Sequence, residues 1–253
     1  MGRRGWLIVI ALILFIAGAG VIAYPHLQEQ TYENHVAALK EQVLRDLKPP
    51  HALNTPGSSD ATDITDITDV TGAINAANRY DLLYAYLESE NKRLFETGQE
   101  DLTDAFSYEQ PAMDLSVYGI KDNCIGFIAI PCLGMELPIY LGANTQNMKK
   151  GAVHLTNTSY PIGGENTISV IAAHRGSSLA MFRNIHKIKI GDEVIITNFW
   201  EELRYRAVEI AIIVPSDIER IRIQPGRDLV TLISCEPLGK TYQRYVVYCE
   251  RIS

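Results

Sequence analysis

The sequence predicts a mainly β domain, a barrel or a sandwich, carried behind one transmembrane helix and a helical segment. Three observations predict it. After Ile120, short runs rich in Val, Ile, Tyr and Phe alternate with Gly, Pro, Asn and Asp at the spacing of an all-β domain. From Trp6 to Tyr24 there is no charged residue, and a helix of that length spans a bilayer. Between these regions, apolar residues recur every three or four positions, as on one face of a helix.

Composition narrows the classes. The chain has 253 residues, enough for one ordinary domain and additional segments. Its 47% hydrophobic content supports a sizeable core, and its formal charge of -7 argues against a nucleic-acid partner, which needs a basic face. No phosphate loop or dinucleotide fingerprint occurs. The six histidines and four cysteines show no zinc-like spacing, and Cys124 and Cys132 lack a second ligand pair, so no metal site is expected.

The elements follow in order. Arg3 and Arg4 precede the apolar run, which fits a cytoplasmic start and an exported remainder. The competing reading is a cleaved secretory signal, since Ala17, Gly18 and Ala19 are small. No second run of that length occurs, so a single pass is expected. Export permits disulfides, but spacing does not choose partners. From Leu27 to Leu47, Val36, Leu39, Val43 and Leu47 mark a helix that Pro49 and Pro50 stop. Residues 51–72, rich in Pro, Ser, Thr and Asp, read as a solvated linker; the spaced aspartates lack the glycine and glutamate of a calcium loop. A second helix is expected from Ile74 to Phe95, stopped by Gly98. Residues 99–122 have no period and read as a loop. The β region then carries seven strand-like runs, with one short helix expected at Ser178–Ile188. The expected layout is 1–25 cytoplasmic start and anchor, 26–73 helix and linker, 74–119 helix and loop, and 120–253 the β domain, about 130 residues and of ordinary domain size.

Three reactive groups fall at the ends of β runs. Cys235 follows "DLVTLIS", His174 ends "TISVIAAH", and Arg244 opens "RYVVYCERI". Attack on a peptide carbonyl by cysteine needs a thiolate, a proton carrier for the leaving amine and donors for the oxyanion. Strand ends that converge at one rim would supply all three, with the side chain of Cys235 emerging at an edge and a nearby positive charge favouring its thiolate. Singly, each residue has a bland reading: a buried thiol (as expected for Cys249), a turn histidine, a surface arginine.

Taken with their neighbours, these residues resemble a family. "LPIYLGA", "TSYPIGGENTISVIAAHRG" and "DLVTLISCEPLGKTYQRYVVYCER" are similar to the sortases, membrane-anchored cysteine transpeptidases of Gram-positive bacteria. The resemblance covers roughly Ile120 to Ile252. It implies a closed eight-stranded β-barrel with short helices, and His174, Cys235 and Arg244 as the catalytic residues. "LTDAFSYEQP" resembles the lid of class C, pilus-building sortases. That lid carries Asp-Pro and an aromatic; here Asp104 and Phe106 match and Ala105 stands for proline, which would have fixed a torsion. By resemblance, Phe106 covers the cysteine and Asp104 pairs with the arginine. Ser234 also departs from the family, replacing a threonine and keeping its hydroxyl.

The expectation is a single-pass, extracytoplasmic sortase of class C that cleaves a Leu-Pro-x-Thr-Gly-like sorting signal through a thioester, with no cofactor because the thiolate supplies the chemistry. The backbone N–H of Glu236 would assist Arg244 at the oxyanion. The partners implied are proteins with such signals, pilins above all, and an amine acceptor on a pilin lysine or a peptidoglycan stem peptide. The alternatives are a housekeeping sortase that only anchors proteins to the wall, and a non-catalytic binding module on the same fold.

Overall fold

A computed structural model of the chain describes residues 3–47, 67–176 and 181–253. Helix α1 runs Arg3–Leu47 and helix α2 Ile67–Thr97. Eight strands follow: β1 Cys124–Ile130, β2 Met135–Leu141, β3 Ala152–His154, β4 Thr167–Ala172, β5 Glu193–Asn198, β6 Glu202–Ile213, β7 Asp228–Glu236 and β8 Gln243–Arg251. A short helix, α3 Thr145–Lys150, lies between β2 and β3. The strands close into a barrel in the order β1-β2-β3-β4-β7-β8-β6-β5. Two contacts are parallel, β2 with β3 and β4 with β7; the rest are antiparallel.

Strand alternation divides the core into two clusters. Val230 and Leu232 of β7 pack with Ile128, Ile139, Ile196 and Val247, a cluster that Leu83 and Leu87 of α2 join. The intervening residues Leu229, Ile233 and Cys235 point the other way and pack with Val246, Ile213 and Phe106. Leu229 to Cys235 are all buried, so β7 is covered on both faces. On the Cys235 side Leu102, Ala105 and Phe106, from the segment after α2, contribute to the cover.

Helix α1 is a single element where two were expected. Pro25 lies inside it, and the helix continues, because proline deletes one backbone hydrogen bond without having to end the helix. Among the described residues, α1 is the one helix long and apolar enough to cross a bilayer, and Leu12 to Ile16 are exposed. Its later half docks on the barrel. Val36 is buried, the Tyr32 hydroxyl donates to the Lys150 carbonyl at 2.8 Å, and Lys40 pairs with Glu136. Helix α2 starts before the expected Ile74, at Ile67; Ile67, Val70 and Ile74 continue the helical spacing. Gly98, at φ +72, ends it as expected. Residues 51–66 of the expected linker lie outside the described residues. The expected helix at 178–188 is instead a 3₁₀ turn at Ile185–Lys187 preceded by turns at Met181–Asn184, with 177–180 outside the described residues. Strand β3 and helix α3 carry too few residues for a period to show.

His154 on β3 is buried beside the Tyr160 ring, centroids 5.1 Å apart, and its Nε2 donates to the Ser159 carbonyl at 3.0 Å. Burial holds its pKa down to about 4, against an ordinary value near 6.5. The unfolded chain therefore takes up this proton below about pH 6.5 while the folded chain resists it down to about pH 4. Stability falls across that window, by at most about 3 kcal/mol from this group. In thermal melts between pH 7 and pH 4, His154→Gln should be the less stable protein at pH 7, and its gap to the wild type should narrow on acidification.

Candidate active site

The site is built on the pairing of β7 with β8. Cys235 stands directly opposite Arg244 in the register, so both side chains leave the same face. Cys235 is one residue inside the end of β7 and 7% exposed, not at an open edge as expected. Arg244, the second residue of β8, is 4% exposed and thus no surface charge. Its Nη1 lies 3.9 Å from the Cys235 Sγ and donates to the carbonyls of Thr241 and Gln243 at 2.7 and 2.9 Å. His174 lies two residues beyond β4, which ends at Ala172. Its carbonyl accepts from the Phe182 N–H at 3.0 Å.

The segment after α2 closes over these groups. Two buried glutamines anchor it. The Gln99 side chain donates to the Asn157 carbonyl at 2.9 Å and accepts from the Ile223 N–H at 2.7 Å. Gln110 accepts from the Thr156 N–H at 2.7 Å and donates to Thr103 Oγ1 at 3.1 Å. Between them a 3₁₀ turn forms at Ala105–Ser107, capped by the Asp104 carboxylate, which accepts from the Phe106 N–H at 3.1 Å. Arg244 donates to Asp104 from Nε at 2.8 Å and from Nη2 at 2.7 Å, a bidentate pair. The Phe106 ring lies 4.8 Å from the Arg244 guanidinium carbon and 6.4 Å from the His174 ring. Asp104, at φ −64 and ψ 136, already has the backbone that a following proline favours, so Ala105 keeps the geometry without the ring.

Two features were missed in the sequence. Tyr108, in the left-handed region at φ 58, lays its ring 6.0 Å from His174 and 6.1 Å from Phe106, adding a second aromatic to the cover. The stretch "AFSY" holds both aromatics, and that spacing is the one signal available. Arg175 pairs with Glu236 and its Nη1 donates to the Cys235 carbonyl at 3.4 Å. Glu236 itself ends β7 opposite Gln243. The Ile233 carbonyl accepts from the Ala173 N–H, so the carbonyls of Ile233 and Cys235 face β4, and alternation turns the Glu236 N–H toward β8, the side of Arg244.

A neighbouring cation was expected to favour the thiolate, and Arg244 and Arg175 do pull that way. Burial outweighs them, with Asp104 adding to the rise, so the Cys235 thiol is nonetheless pushed above its ordinary value. Burial likewise holds His174 below its ordinary value. With the segment closed, the cysteine and histidine are thus both neutral near pH 7. All four cysteines are free thiols, and Cys249 is fully buried, as expected. Among the described residues no group of three or more His, Cys, Asp or Glu is placed to hold a metal ion.

Comparison with known proteins adds relatives. The family model described as Sortase domain matches residues 128–252. Sortase D of Bacillus subtilis is 28% identical over 131 residues, covering 51% of this chain and 64% of that protein, so the match spans less than two thirds of that relative's length. Among solved structures, sortase C1 of GBS pilus island 1 superposes with a TM-score of 0.62 at 30% identity, covering 71% of this chain and 84% of that one. Sortase C-1 of Actinomyces oris does so at 0.55 and 31%, covering 65% and 97%.

Removing the Asp104 charge frees Arg244 and lowers the thiol pKa, which raises the thiolate fraction at neutral pH. Asp104→Asn should therefore move the pH midpoint of Cys235 alkylation down and speed labelling at pH 7 several-fold. Phe106→Ala should speed it by exposure. Mass spectrometry of iodoacetamide-treated protein separates Cys235 from the exposed Cys132; unchanged rates in both variants would show that the segment is not a lid.

Proposed function

The chain belongs to the sortase family, and we propose that it acts as a membrane-anchored, class C cysteine transpeptidase. The observation that carries this reading is the thiol of Cys235 held 3.9 Å from an arginine that a lid carboxylate grips with two hydrogen bonds. A binding module would have no use for that arrangement. A housekeeping enzyme that only anchors proteins to the wall would have no use for the lid.

In this reading the substrate displaces Asp104 and Phe106. Arg244 then loses its carboxylate partner, and Cys235 passes its proton to His174. The thiolate attacks the threonine carbonyl of a Leu-Pro-x-Thr-Gly-like sorting signal. Arg244 and the Glu236 N–H stabilise the oxyanion. The tetrahedral intermediate collapses to a thioester, and the imidazolium of His174 gives its proton to the departing glycine amine. The neutral imidazole then takes a proton from the incoming amine, which attacks the thioester and releases the Cys235 thiolate. That amine belongs to a pilin lysine or to a peptidoglycan stem peptide. In this reading residues 1–25 supply the start and anchor, 26–73 a helix and a Thr/Asp-rich linker, 74–119 a helix and the lid-like loop, and 120–253 the catalytic barrel on the extracytoplasmic side of a Gram-positive cell membrane. The apolar run from Trp6 to Tyr24 in α1, with Arg3 and Arg4 at the start of the helix, supports this placement.

A closed lid also sets affinity. When only the open fraction binds, apparent affinity falls by that fraction. Phe106 therefore tunes turnover of a free peptide through the open fraction, and Asp104 does so through both the open fraction and the Cys235 thiol.

Cleavage of a fluorogenic sorting-signal peptide tests the assignment. Cys235→Ala and His174→Ala should abolish it, and Cys249→Ala should keep most of it. Arg244→Ala should lose about 100- to 1000-fold, as when an oxyanion donor is removed. Arg244→Lys should lose an intermediate amount, because lysine keeps the charge and lacks the planar fork. Full activity without Cys235 would refute the reading. Mass analysis of products formed with a lysine peptide or a stem peptide identifies the acceptor.

A further inference from the structure

We infer that Arg175 is a positioning residue that, through Glu236, holds the histidine turn against the nucleophile strand. The inference rests on the reading of Cys235 and His174 as a catalytic pair.

The last Cα pair between β4 and β7 is Ala172 with Ile233. His174 lies beyond it, and residues beyond a ladder are free to drift unless something else fixes them. The Phe182 N–H on the His174 carbonyl holds one side of the turn, and two side-chain ties hold it to β7, one before and one after the reactive residues. Before them, the Ser234 hydroxyl donates to the Ala173 carbonyl at 2.7 Å. After them, Arg175 pairs with the Glu236 carboxylate and its Nη1 reaches the Cys235 carbonyl at 3.4 Å. His174 is thus bracketed by Ala173 and Arg175, Cys235 by Ser234 and Glu236, and each bracket is fastened to the other.

The Arg175 side chain is 7% exposed, with its guanidinium carbon 5.4 Å from the Tyr245 ring centroid. Tyr245 stands opposite Ser234 in the β7–β8 register, so the stack returns to the same bracket. The two arginines of the site divide the work. Arg244 reaches the Sγ itself. Arg175 reaches the carbonyl behind it, and its charge is matched by Glu236, as that of Arg244 is matched by Asp104. The carboxylate partner of Arg244 belongs to the lid and leaves with it. The partner of Arg175 follows Cys235 in the same strand and stays. One pair opens; the other holds geometry while it does.

Misplacement of reacting groups by about 1 Å costs on the order of 100-fold in rate. The test uses the full chain in detergent and a fluorogenic Leu-Pro-Glu-Thr-Gly peptide. Arg175→Met is expected to lower kcat about 100-fold with KM within about twofold, the signature of lost positioning. Glu236→Gln is expected to lower kcat in the same direction, and Arg175→Lys to recover part of the loss. The double variant Arg175→Met/Glu236→Gln is expected to be no worse than Arg175→Met alone, since residues serving one purpose are not additive. If Arg175→Met gives no cooperative melt, Arg175→Lys and Glu236→Gln carry the test by the same kcat criterion. A folded variant with unchanged kcat overturns the inference, as does a raised KM with kcat intact, or single losses that multiply in the double variant. Wild-type turnover in a Cys235→Ala control would instead refute the catalytic pair itself, a separate failure.

Discussion

The register of β7 against β8 governs the site. Cys235 and Arg244 face each other across one antiparallel pair. A slip of one residue would send one of them to the opposite face of the sheet, because side chains alternate with a period of two. The register is protected by what lies on both sides. Val230, Leu232 and Val247 are committed to one cluster, and Ile233 and Val246 to the other. Two apolar faces thus specify the alignment that puts a thiol next to a guanidinium.

The same constraint explains why a segment outside the barrel packs over the site. A strand buried on both faces needs cover on both, and the Cys235 face is covered in part by a segment outside the barrel. Residues that hide an apolar strand end also hide a reactive thiol. Burial raises the thiol and lowers His174, so the covered pair is neutral and unreactive. Steric cover and chemical silence have one cause. The polar groups of the covering segment are satisfied: Asp104 on Arg244, Gln99 and Gln110 on backbone groups of neighbouring loops. This is why a short loop holds without a proline in it.

Much of this was legible in the sequence, because it rests on local chemistry. The alternating runs after Ile120 mark seven of the eight strands, Gly98 marks the end of α2, and the residues around His174, Cys235 and Arg244 mark the family. The pairing of Asp104 with Arg244, 140 positions apart, came through likeness to a family and not through any local pattern. What stayed hidden is of two kinds. Elements such as the three-residue β3 are shorter than any period. Contacts such as Arg175 with Glu236, or Tyr108 beside His174, are set by which loops meet at the barrel mouth. The burial of Cys235 belongs there too: a strand end looks open in sequence until the segment that covers it is placed.

Closure of the barrel has its own consequence for recognition. Every one of the eight strands has a neighbour on each side. An extended peptide commonly binds by joining the free edge of a sheet, gaining main-chain hydrogen bonds that are indifferent to its sequence. A closed ring leaves edges only where one strand outruns its neighbour, as the end of β6 outruns β5 beyond Arg206. Most of the backbone hydrogen-bonding capacity of the sheet is thus already used within the barrel. Under the proposed reading, a sorting signal is held more by side chains and loop backbone at the mouth than by strand pairing, so its sequence counts for more than its readiness to extend a sheet.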